Sequence, residues 1–298
     1  MTASPVPCKV CGATAAFIGS KTGSFKAQAF HFHHCDACQF TFVANPWTDY
    51  AAVYNEAYYR GQGPDPWIDY VFELQEPERT VRVYEWRGIL EAVQSCVPVD
   101  AQTRWLDFGC GNGGLVRYLA GHSPCQAAGF EEGWIAGQAR SKDIRVLTES
   151  ELETWDGLCD IVTAIEVIEH VERPVETLAR IRRLLKPGGL VFLTTGNAQP
   201  QRGRILDWRY ATPEMHISFF EPQTLATAMK MAGFAPEFRG FMPGFDRIIR
   251  YKILKNLKQR EVSAAERLLP WSILSRAADW SHRVTAHPVG WASAADLA

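Results

Sequence analysis

Two Cys-x-x-Cys pairs near the N-terminus constrain the fold of this chain more than any other feature. The first pair is Cys8 and Cys11 and the second is Cys35 and Cys38; the stretch between them has Gly and Ser at its centre and apolar residues on both sides. This pattern is typical of a β-hairpin, which would bring the two pairs together. Tetrahedral Zn²⁺ takes four thiolates, and each pair presents two of them from one turn. We therefore expect a structural zinc ribbon over residues 1–44.

Two other interpretations of the cysteine pairs are a coincidence of spacing and a redox pair. A redox pair is disfavoured because no strand–helix–strand pattern accompanies either one. Three histidines, His31, His33 and His34, crowd the second pair. Since four cysteines already complete a closed zinc site, we interpret these histidines as strand or surface residues and the zinc as structural, without a catalytic role.

The charges of the 298 residues nearly cancel, with 31 Lys and Arg against 33 Asp and Glu and a formal net charge of −2. No global positive field therefore draws the chain to nucleic acid or to an anionic membrane. Residues 1–44 contain only Lys9, Lys21 and Lys26 as permanent cations, which disfavours a ribbon that binds nucleic acid. The sequence has no signal-peptide pattern and no apolar run long enough to span a bilayer, so we expect a cytoplasmic protein.

Strand and helix patterns alternate through the middle of the chain. Residues 45–98 are predicted to form an aromatic connector and N-terminal helices. Apolar strand-like runs follow at residues 104–108, 125–131, 159–168 and 190–196, with an amphipathic helical run at 175–185. This alternation predicts parallel strands covered by helices on both faces. The fold class is therefore α/β, with a Rossmann-like domain over residues 99–298 in addition to the ribbon.

A glycine-rich loop follows the first of these strands. Gly109, Gly111 and Gly113 stand between a strand and a helix, where residues without a Cβ let the backbone turn tightly and approach a ligand. Asp107 precedes the loop, where a carboxylate would repel a pyrophosphate but can pair with an amino group. Glu131 ends the next strand, where a carboxylate can accept both hydroxyls of a ribose. Together these features indicate an adenosine ligand with a cationic tail, a description that S-adenosylmethionine (SAM) fits.

Five motifs extend this pattern along the chain. They are LDFGCGNGG, GFE at 129–131, EVIEHVERP, LLKPGGLVFLTT and HISFFEPQTLATAMKMAGF. In order and spacing they resemble the motifs of class I SAM-dependent methyltransferases, of the subgroup that includes ubiquinone-biosynthesis O-methyltransferases. The resemblance implies a seven-stranded Rossmann-like sheet flanked by helices. The residues that it implies for SAM are Asp107, Gly109, Cys110, Gly111 and Gly113 at the methionine end, Phe130 at the adenine, Glu131 at the ribose and Glu166 beside the sulfonium.

Glu166, Glu169 and His170 form an ExxEH sequence at the predicted active-site face. In the ubiquinone O-methyltransferases that this segment resembles, the equivalent Glu, Glu and His are thought to bind a divalent cation. One hypothesis is therefore Mg²⁺ at these three residues, lowering the pKa of a substrate hydroxyl. The alternatives are that His170 acts in the active site without a metal and that it has a structural role only. Glu166 and His170 are accordingly candidate catalytic residues.

Residues 197–220 are predicted to form a lid over the acceptor pocket. His216 is the candidate general base within the lid, because imidazole titrates near neutral pH. The alternative is a histidine that only bonds the backbone of the lid. Further on, residues 245–285 are predicted to form a basic helical tail. Such a tail is either an ordinary surface helix or a peripheral contact with an anionic membrane or a lipid-linked acceptor.

The leading functional hypothesis is an enzyme that transfers a methyl group from SAM to a small-molecule acceptor, on an oxygen of a saccharide or secondary metabolite. C- or N-methylation of a nucleotide sugar or natural product is an alternative, since the ribbon and the Tyr-rich connector also resemble those of nucleotide-sugar C-methyltransferases. A hypothesis of another class is a ribbon module that directs the methyltransferase to RNA or protein. The sequence indicates no oligomeric state.

Overall fold

The computed structural model of the chain describes residues 4–24, 27–63, 68–239, 241–280 and 289–292. Its strands are β1 (Val6–Pro7), β2 (Thr14–Thr22), β3 (Ala29–Cys35), β4 (Phe40–Val43), β5 (Arg104–Phe108), β6 (Gln126–Phe130), β7 (Val146–Leu147), β8 (Cys159–Ile165), β9 (Leu185–Thr194), β10 (Ser218–Phe219), β11 (Phe234–Glu237) and β12 (Val289–Ala292). Its α-helices are α1 (Tyr50–Val53), α2 (Tyr70–Gln75), α3 (Val83–Gln94), α4 (Gly114–His122), α5 (Trp134–Arg140), α6 (Glu149–Leu152), α7 (Pro174–Leu184), α8 (Pro222–Met231), α9 (Phe245–Asn256), α10 (Ala264–Arg267) and α11 (Trp271–Trp280).

Seven strands form the larger sheet, in the order β11-β12-β9-β8-β5-β6-β7. The five strands from β9 to β7 are parallel, and β12 is antiparallel to both β9 and β11. Near-continuous apolar runs such as that of β5, where four of five residues are buried, are expected where helices cover both faces of a parallel sheet. The predicted α/β fold with a seven-stranded Rossmann-like sheet is confirmed.

The five-stranded second sheet has the order β1-β2-β3-β4-β10. Its first four strands come from the N-terminal hairpin that the cysteine spacing predicts. The fifth strand, β10, comes from residues far along the chain and pairs antiparallel with β4. The ribbon is therefore joined to the rest of the protein by backbone hydrogen bonds as well as by side-chain packing.

Helices α9 to α11 stand in the chain between β11 and β12, and α9 packs closely on α3. A Cβ at Gly88 in α3 would lie 2.5 Å from the carbonyl oxygen of Gly244, which precedes α9. Buried apolar residues, among them Phe245 and Ile248, fill this contact. This helical segment is thus an insertion before the last described strand of the sheet, where the sequence predicted a tail.

The basic residues of α9 form ion pairs within the chain. Arg247 pairs with Glu91 at 2.7 Å and Arg250 with Glu266, while Lys252 lies 3.6 Å from Glu85. The prediction of a helix is correct, but these cations do not form the open basic face that a membrane contact through this helix would need. In the part of the chain that the structure describes, we find no helix long and apolar enough to cross a membrane.

Candidate active site and cysteine cluster

The glycine loop turns sharply between β5 and α4. Gly109, Gly111 and Gly113 have φ angles of 75°, 55° and 73°, in the left-handed region that favours glycine. Space is also limiting, because a Cβ at Gly109 would lie 2.6 Å from Val167 and one at Gly113 would lie 2.7 Å from Ile144. The sequence signal therefore reflects both a backbone requirement and close packing.

Two carboxylates flank the loop. Asp107 is buried and accepts a hydrogen bond of 2.7 Å from Thr163 Oγ1. Glu131 accepts hydrogen bonds of 2.9 Å from the N–H groups of Gly111 and Glu132. Burial raises the pKa of Asp107 to about 7, although the bond from Thr163 lowers it, and burial also raises the pKa of Glu131. A cationic ligand beside these groups would favour their charged forms.

Of two further residues predicted at the SAM site, Cys110 lines the cavity and Phe130 does not. The Cys110 N–H donates to the carbonyl oxygen of Phe130, and the residue lines the cavity beside the loop. The ring of Phe130 instead packs in the core, 5.3 Å from the ring of Phe108 and beneath Arg180. The ring of Phe130 thus packs among core residues and is not in the cavity lining, its backbone carbonyl supports the loop, and its contact with an adenine stays a prediction.

Glu166 lies just beyond β8, with a φ angle of 54° that non-glycine residues rarely adopt. Its carboxylate accepts hydrogen bonds from Thr194 Oγ1 at 3.1 Å and Tyr210 Oη at 3.3 Å, and it pairs with Lys252 Nζ at 3.1 Å. Strained residues of this kind persist where the surrounding structure holds them in place, and they cluster at functional sites. Three separate parts of the chain hold this one carboxylate.

Beside Glu166, Glu169 is buried and His170 is half-buried. Glu169 accepts hydrogen bonds from Thr195 and Tyr210. Burial and the charge of Glu166 raise the pKa of Glu169 to about 8. His170 Nδ1 lies 3.0 Å from the Met215 carbonyl oxygen, and burial together with the nearby His216 lowers the pKa of His170 to about 3. His170 is thus a neutral imidazole at physiological pH.

His216 stacks on Tyr210 with a ring separation of 4.0 Å and lies 4.8 Å from the ring of His170. Its Nδ1 is within hydrogen-bonding distance of the Tyr210 carbonyl oxygen. A carbonyl oxygen can only accept, so Nδ1 carries the proton of the neutral ring and Nε2 carries the lone pair. This tautomer is the one that a general base acting through Nε2 requires.

The predicted Mg²⁺ set of Glu166, Glu169 and His170 is not assembled. Among the described residues, the histidines and acids that converge here within 4.8 Å are Glu169, His170 and His216. Glu166 is instead paired with Lys252. Mg²⁺ prefers oxygen ligands in an octahedron, and a group of two imidazoles and one carboxyl with a raised pKa is a poor match. The prediction of Mg²⁺ is therefore withdrawn.

A cavity of about 980 Å³ connects these groups. Its lining includes Asp107, the glycine loop and Glu131 on one side, and His170, Tyr210 and His216 on the other. Small-molecule sites are typically clefts of roughly 300–1,000 Å³. Several lining side chains were not expected from the sequence, among them Tyr54, Tyr58, Tyr59, Tyr70, Arg82, Glu85 and Lys252. The density of tyrosines between residues 50 and 70, in the predicted connector, is the signal that could have revealed some of them.

Arg82 is the least expected of these lining residues. Its guanidinium lies 5.4 Å from the ring of Tyr70 and 5.4 Å from that of Tyr251. Its Nε pairs with Glu85 at 3.1 Å. Its buried Nη1 lies 3.9 Å from a carboxylate oxygen of Glu73, too far for a hydrogen bond, and has no hydrogen-bond partner among the described residues. A buried donor without an acceptor is costly, so an anionic ligand group in the cavity would stabilise this arrangement.

The four cysteines of the two pairs form one cluster, in which their sulfur atoms lie within 4.8 Å of one another. The Cys8–Cys38 and Cys11–Cys35 sulfur separations are 3.6 and 3.5 Å, close to the edge of about 3.8 Å in a tetrahedron with Zn–S bonds of 2.3 Å. Each knuckle ends in a left-handed residue. Gly12 has φ 74° in the first, and a glutamine, with φ 61° at position 39, takes the same conformation in the second.

Comparisons with known proteins were made for the whole chain. A family model described as a methyltransferase domain matches residues 65–237. The ubiquinone biosynthesis O-methyltransferase of Dechloromonas aromatica is 30% identical over 154 residues, covering 46% of this chain and 66% of the relative. That of Hahella chejuensis is 34% identical over 112 residues, covering 33% of this chain and 45% of the relative. The matches thus span about half to two thirds of the length of these relatives.

The solved structures add evidence on the fold alone. A chain from the complex between the Haloferax volcanii Trm112 methyltransferase activator and a methyltransferase aligns with a TM-score of 0.50 and 19% identity. The alignment covers 70% of this chain and 90% of the solved one. At this identity the match supports the architecture and carries no information about substrate.

Proposed function

This chain belongs to the methyltransferase domain family with a class I SAM-dependent fold, and from that premise we propose that it transfers the methyl group of SAM to a hydroxyl of a small-molecule acceptor. The observation that carries the proposal is that one cavity is lined both by the glycine loop with its two carboxylates and by His170, His216 and Tyr210. The cofactor supplies an electrophilic methyl group on a sulfonium. The protein has to hold the acceptor in line with that group and remove a proton from it.

Residues at and beside the glycine loop would hold SAM through an ion pair and hydrogen bonds. Asp107 would pair with its ammonium group, and Glu131, whose oxygens retain lone pairs beyond the bonds from Gly111 and Glu132, would accept the ribose hydroxyls. The carboxylate of Glu166 also lines the cavity and would face the sulfonium. These roles place negative charge around a ligand whose reacting end is positive.

The guanidinium of Arg82, whose Nη1 lies 3.9 Å from Glu73 and makes no hydrogen bond among the described residues, would bind the methionine carboxylate of SAM. The Arg82→Lys variant keeps a cation beside Glu73 and Glu85 but loses the planar fork of donors. We expect it to weaken SAM binding about tenfold, since hydrogen bonds to charged groups contribute about 1.5–3 kcal/mol. The control ligand is decarboxylated SAM, whose affinity should change less than about twofold. Equal losses for both ligands in calorimetric titrations would contradict this assignment.

SAM affinity should rise with pH. Burial sets the pKa of Asp107 at about 7 in the protein without ligand, and only the carboxylate form pairs with an ammonium group. Binding below this pKa therefore releases a proton, and we expect the SAM dissociation constant to fall about tenfold from about pH 6 to about pH 8. In Asp107→Asn most of this dependence should disappear. A wild-type affinity that is flat or that weakens as the pH rises would refute the role of Asp107.

On the acceptor side, His216 would act as general base through Nε2. The Tyr210 carbonyl holds the proton on Nδ1, and the neutral His170 lies beside it without competing for a proton at neutral pH. Tyr54 belongs to the connector, and its hydroxyl lies within hydrogen-bonding distance of His170 Nδ1, at 2.9 Å. We therefore assign His216 as the base and His170 as a positioning residue within the same cluster.

Oxygen is the proposed acceptor atom. The names of the curated relatives, which are O-methyltransferases, support it, as does His216 in the cavity lining, whose imidazole could accept the proton that a hydroxyl loses on methylation. Formation of S-adenosylhomocysteine with a panel of sugars, nucleotide sugars and phenols tests this proposal. Transfer only to nitrogen or carbon acceptors would overturn it.

The four thiols of the ribbon would hold one Zn²⁺. Their separations and their four-cysteine composition fit a closed structural site, which leaves no position for water and therefore supplies no catalysis. Metal analysis of wild type and Cys35→Ser tests this assignment. We expect about one zinc ion per chain in wild type and a loss of about one ion in the variant.

A further inference from the structure

The backbone that follows His216 is part of the ribbon's sheet. In strand β10, Ser218 pairs with Phe42 and Phe219 with Thr41, both in β4. Just before β10, the carbonyl oxygen of Ile217 accepts a hydrogen bond of 2.9 Å from the Val43 N–H. The three residues after His216 are therefore fixed by a ribbon strand that begins two residues after Cys38.

The opposite edge of this short segment is bonded to the ExxEH turn. The Ile217 N–H donates to the Glu169 carbonyl oxygen at 2.9 Å, and Ser218 Oγ donates to the Val171 carbonyl oxygen at 3.1 Å. Residues 217–219 thus lie between the ribbon on one side and the turn that carries Glu169 and His170 on the other. Displacement of β4 would move the backbone on which His216 stands.

Side chains of the lid also pack against the ribbon. The rings of Phe32 and Phe219 stack at 5.6 Å, and Lys21 Nζ donates to the carbonyl oxygen of Trp208 at 3.2 Å. Ribbon and lid share one apolar cluster, which includes Phe30, Phe32, Val43, Ile205, Ala211, Ile217 and Phe219. Three of the eight buried residues of this cluster come from the ribbon and five from the lid, so the two share one interior.

The second cysteine knuckle is bonded directly to the methyltransferase fold. Thr224 Oγ1, in α8, donates a buried hydrogen bond of 2.7 Å to the carbonyl oxygen of Cys38. The knuckle connects β3, which ends at Cys35, to β4, which begins at Phe40. Whatever fixes the sulfur atoms of this knuckle also fixes the position of β4.

We propose that the four-cysteine ribbon is a positioning device for the lid, and that metal in the cysteine cluster is what keeps His216 in place in the cavity. Small ribbons rarely hold their fold without metal, because they bury little apolar surface. Loss of the metal frees β4, then residues 217–219, and then His216, while the glycine loop on the far side of the cavity keeps its own support. The kinetic part of this inference rests on the proposed function, and the structural part does not.

Hydrogen–deuterium exchange on the metal-loaded full chain, before and after zinc removal with a chelator, tests the structural part. We expect amide exchange over residues 205–220 to accelerate at least about tenfold, because local opening frees the lid. Exchange over residues 104–116 and the SAM dissociation constant should change less than about twofold. Unchanged protection of the lid would overturn the proposal. Equal deprotection of residues 104–116 would also overturn it, because the ribbon would then be a general stabiliser.

A matched pair at Thr224 tests the link while leaving every cysteine in place. Thr224→Val removes the hydroxyl that bonds the Cys38 carbonyl, and Thr224→Ser retains it. We expect about threefold faster exchange in the lid and a lower kcat at unchanged SAM KM for Thr224→Val, with wild-type values for Thr224→Ser. Identical behaviour of the two Thr224 variants would contradict the link.

The two proposals fail in different ways. A wild-type protein that neither binds SAM nor transfers methyl groups refutes the proposed function, while the exchange experiment still decides whether the ribbon orders the lid. A protein that transfers methyl groups at the wild-type rate after complete zinc loss refutes the positioning role of the ribbon and leaves the proposed function intact.

Discussion

Replacement of His216 by asparagine is expected to lower kcat for methyl transfer by about 10²–10⁴-fold, the usual contribution of a positioned general base. The SAM dissociation constant should stay within about twofold, because His216 lies on the acceptor side of the cavity. The measurement is S-adenosylhomocysteine formation with the best acceptor of the panel, together with a calorimetric titration of SAM.

His122 provides a matched control for this experiment. Its Nδ1 lies 3.0 Å from the Tyr118 carbonyl oxygen and its ring stacks on Tyr118 at 4.1 Å, much as His216 does with Tyr210. His122 is exposed at the end of α4 and is not part of the cavity lining. His122→Asn should leave kcat unchanged. A fall of less than about threefold in His216→Asn would show that another group removes the proton.

Replacement of Lys252 by methionine is expected to lower the free energy of unfolding by about 2 kcal/mol, because the partly buried carboxylate of Glu166 loses its cation and the buried carboxylate of Glu85 keeps only Arg82. Lys252 lies 3.1 Å from Glu166 and 3.6 Å from Glu85. Although burial lowers it, the charges of Glu166 and Glu85 raise the pKa of Lys252, so the ammonium form is held in the fold. Chemical denaturation of the protein without ligand measures the effect.

Two further variants separate charge from packing at Lys252. In the Lys252→Met/Glu166→Gln double variant, one uncompensated carboxylate is neutralised, and part of the lost stability should return. Lys230→Met removes an exposed lysine of α8 and should change the stability by no more than about 0.5 kcal/mol. If the stability losses of the two single variants simply add up in the double variant, the side chains of Lys252 and Glu166 are not coupled, which would contradict this account.

Much of the fold was predictable because its signals are local. The cysteine pairs, the glycines of the loop and the alternation of apolar strands with an amphipathic helix depend on neighbouring residues, and the structure confirms the four-cysteine cluster and the seven-stranded sheet. Asp107 and Glu131 were identified for the same reason, since each stands at the end of a strand that leads into the site. Their proposed roles toward SAM remain predictions.

The rest of the site depends on contacts between distant segments. Lys252 meets Glu166, and Tyr54 meets His170, across intervals that no local pattern encodes. The basic pattern of α9 predicted a surface, whereas acidic residues on α3 and beyond β8 bind its cations. Alternation along a strand gives two faces without saying which one borders the cavity, so the sequence did not show that the ring of Phe130 packs against Phe108. The Mg²⁺ hypothesis failed because the spacing of ExxEH does not show that Lys252 pairs with its first glutamate.

Calorimetric titration of SAM into wild type and Asp107→Ala tests the central claim most directly. We predict that wild type binds about one SAM per chain, with a dissociation constant between about 1 μM and 1 mM, and that Asp107→Ala binds at least about tenfold more weakly. Failure of the wild-type protein to bind SAM, or equal affinity in the two proteins, would contradict the assignment of the glycine loop and its carboxylate as a SAM site.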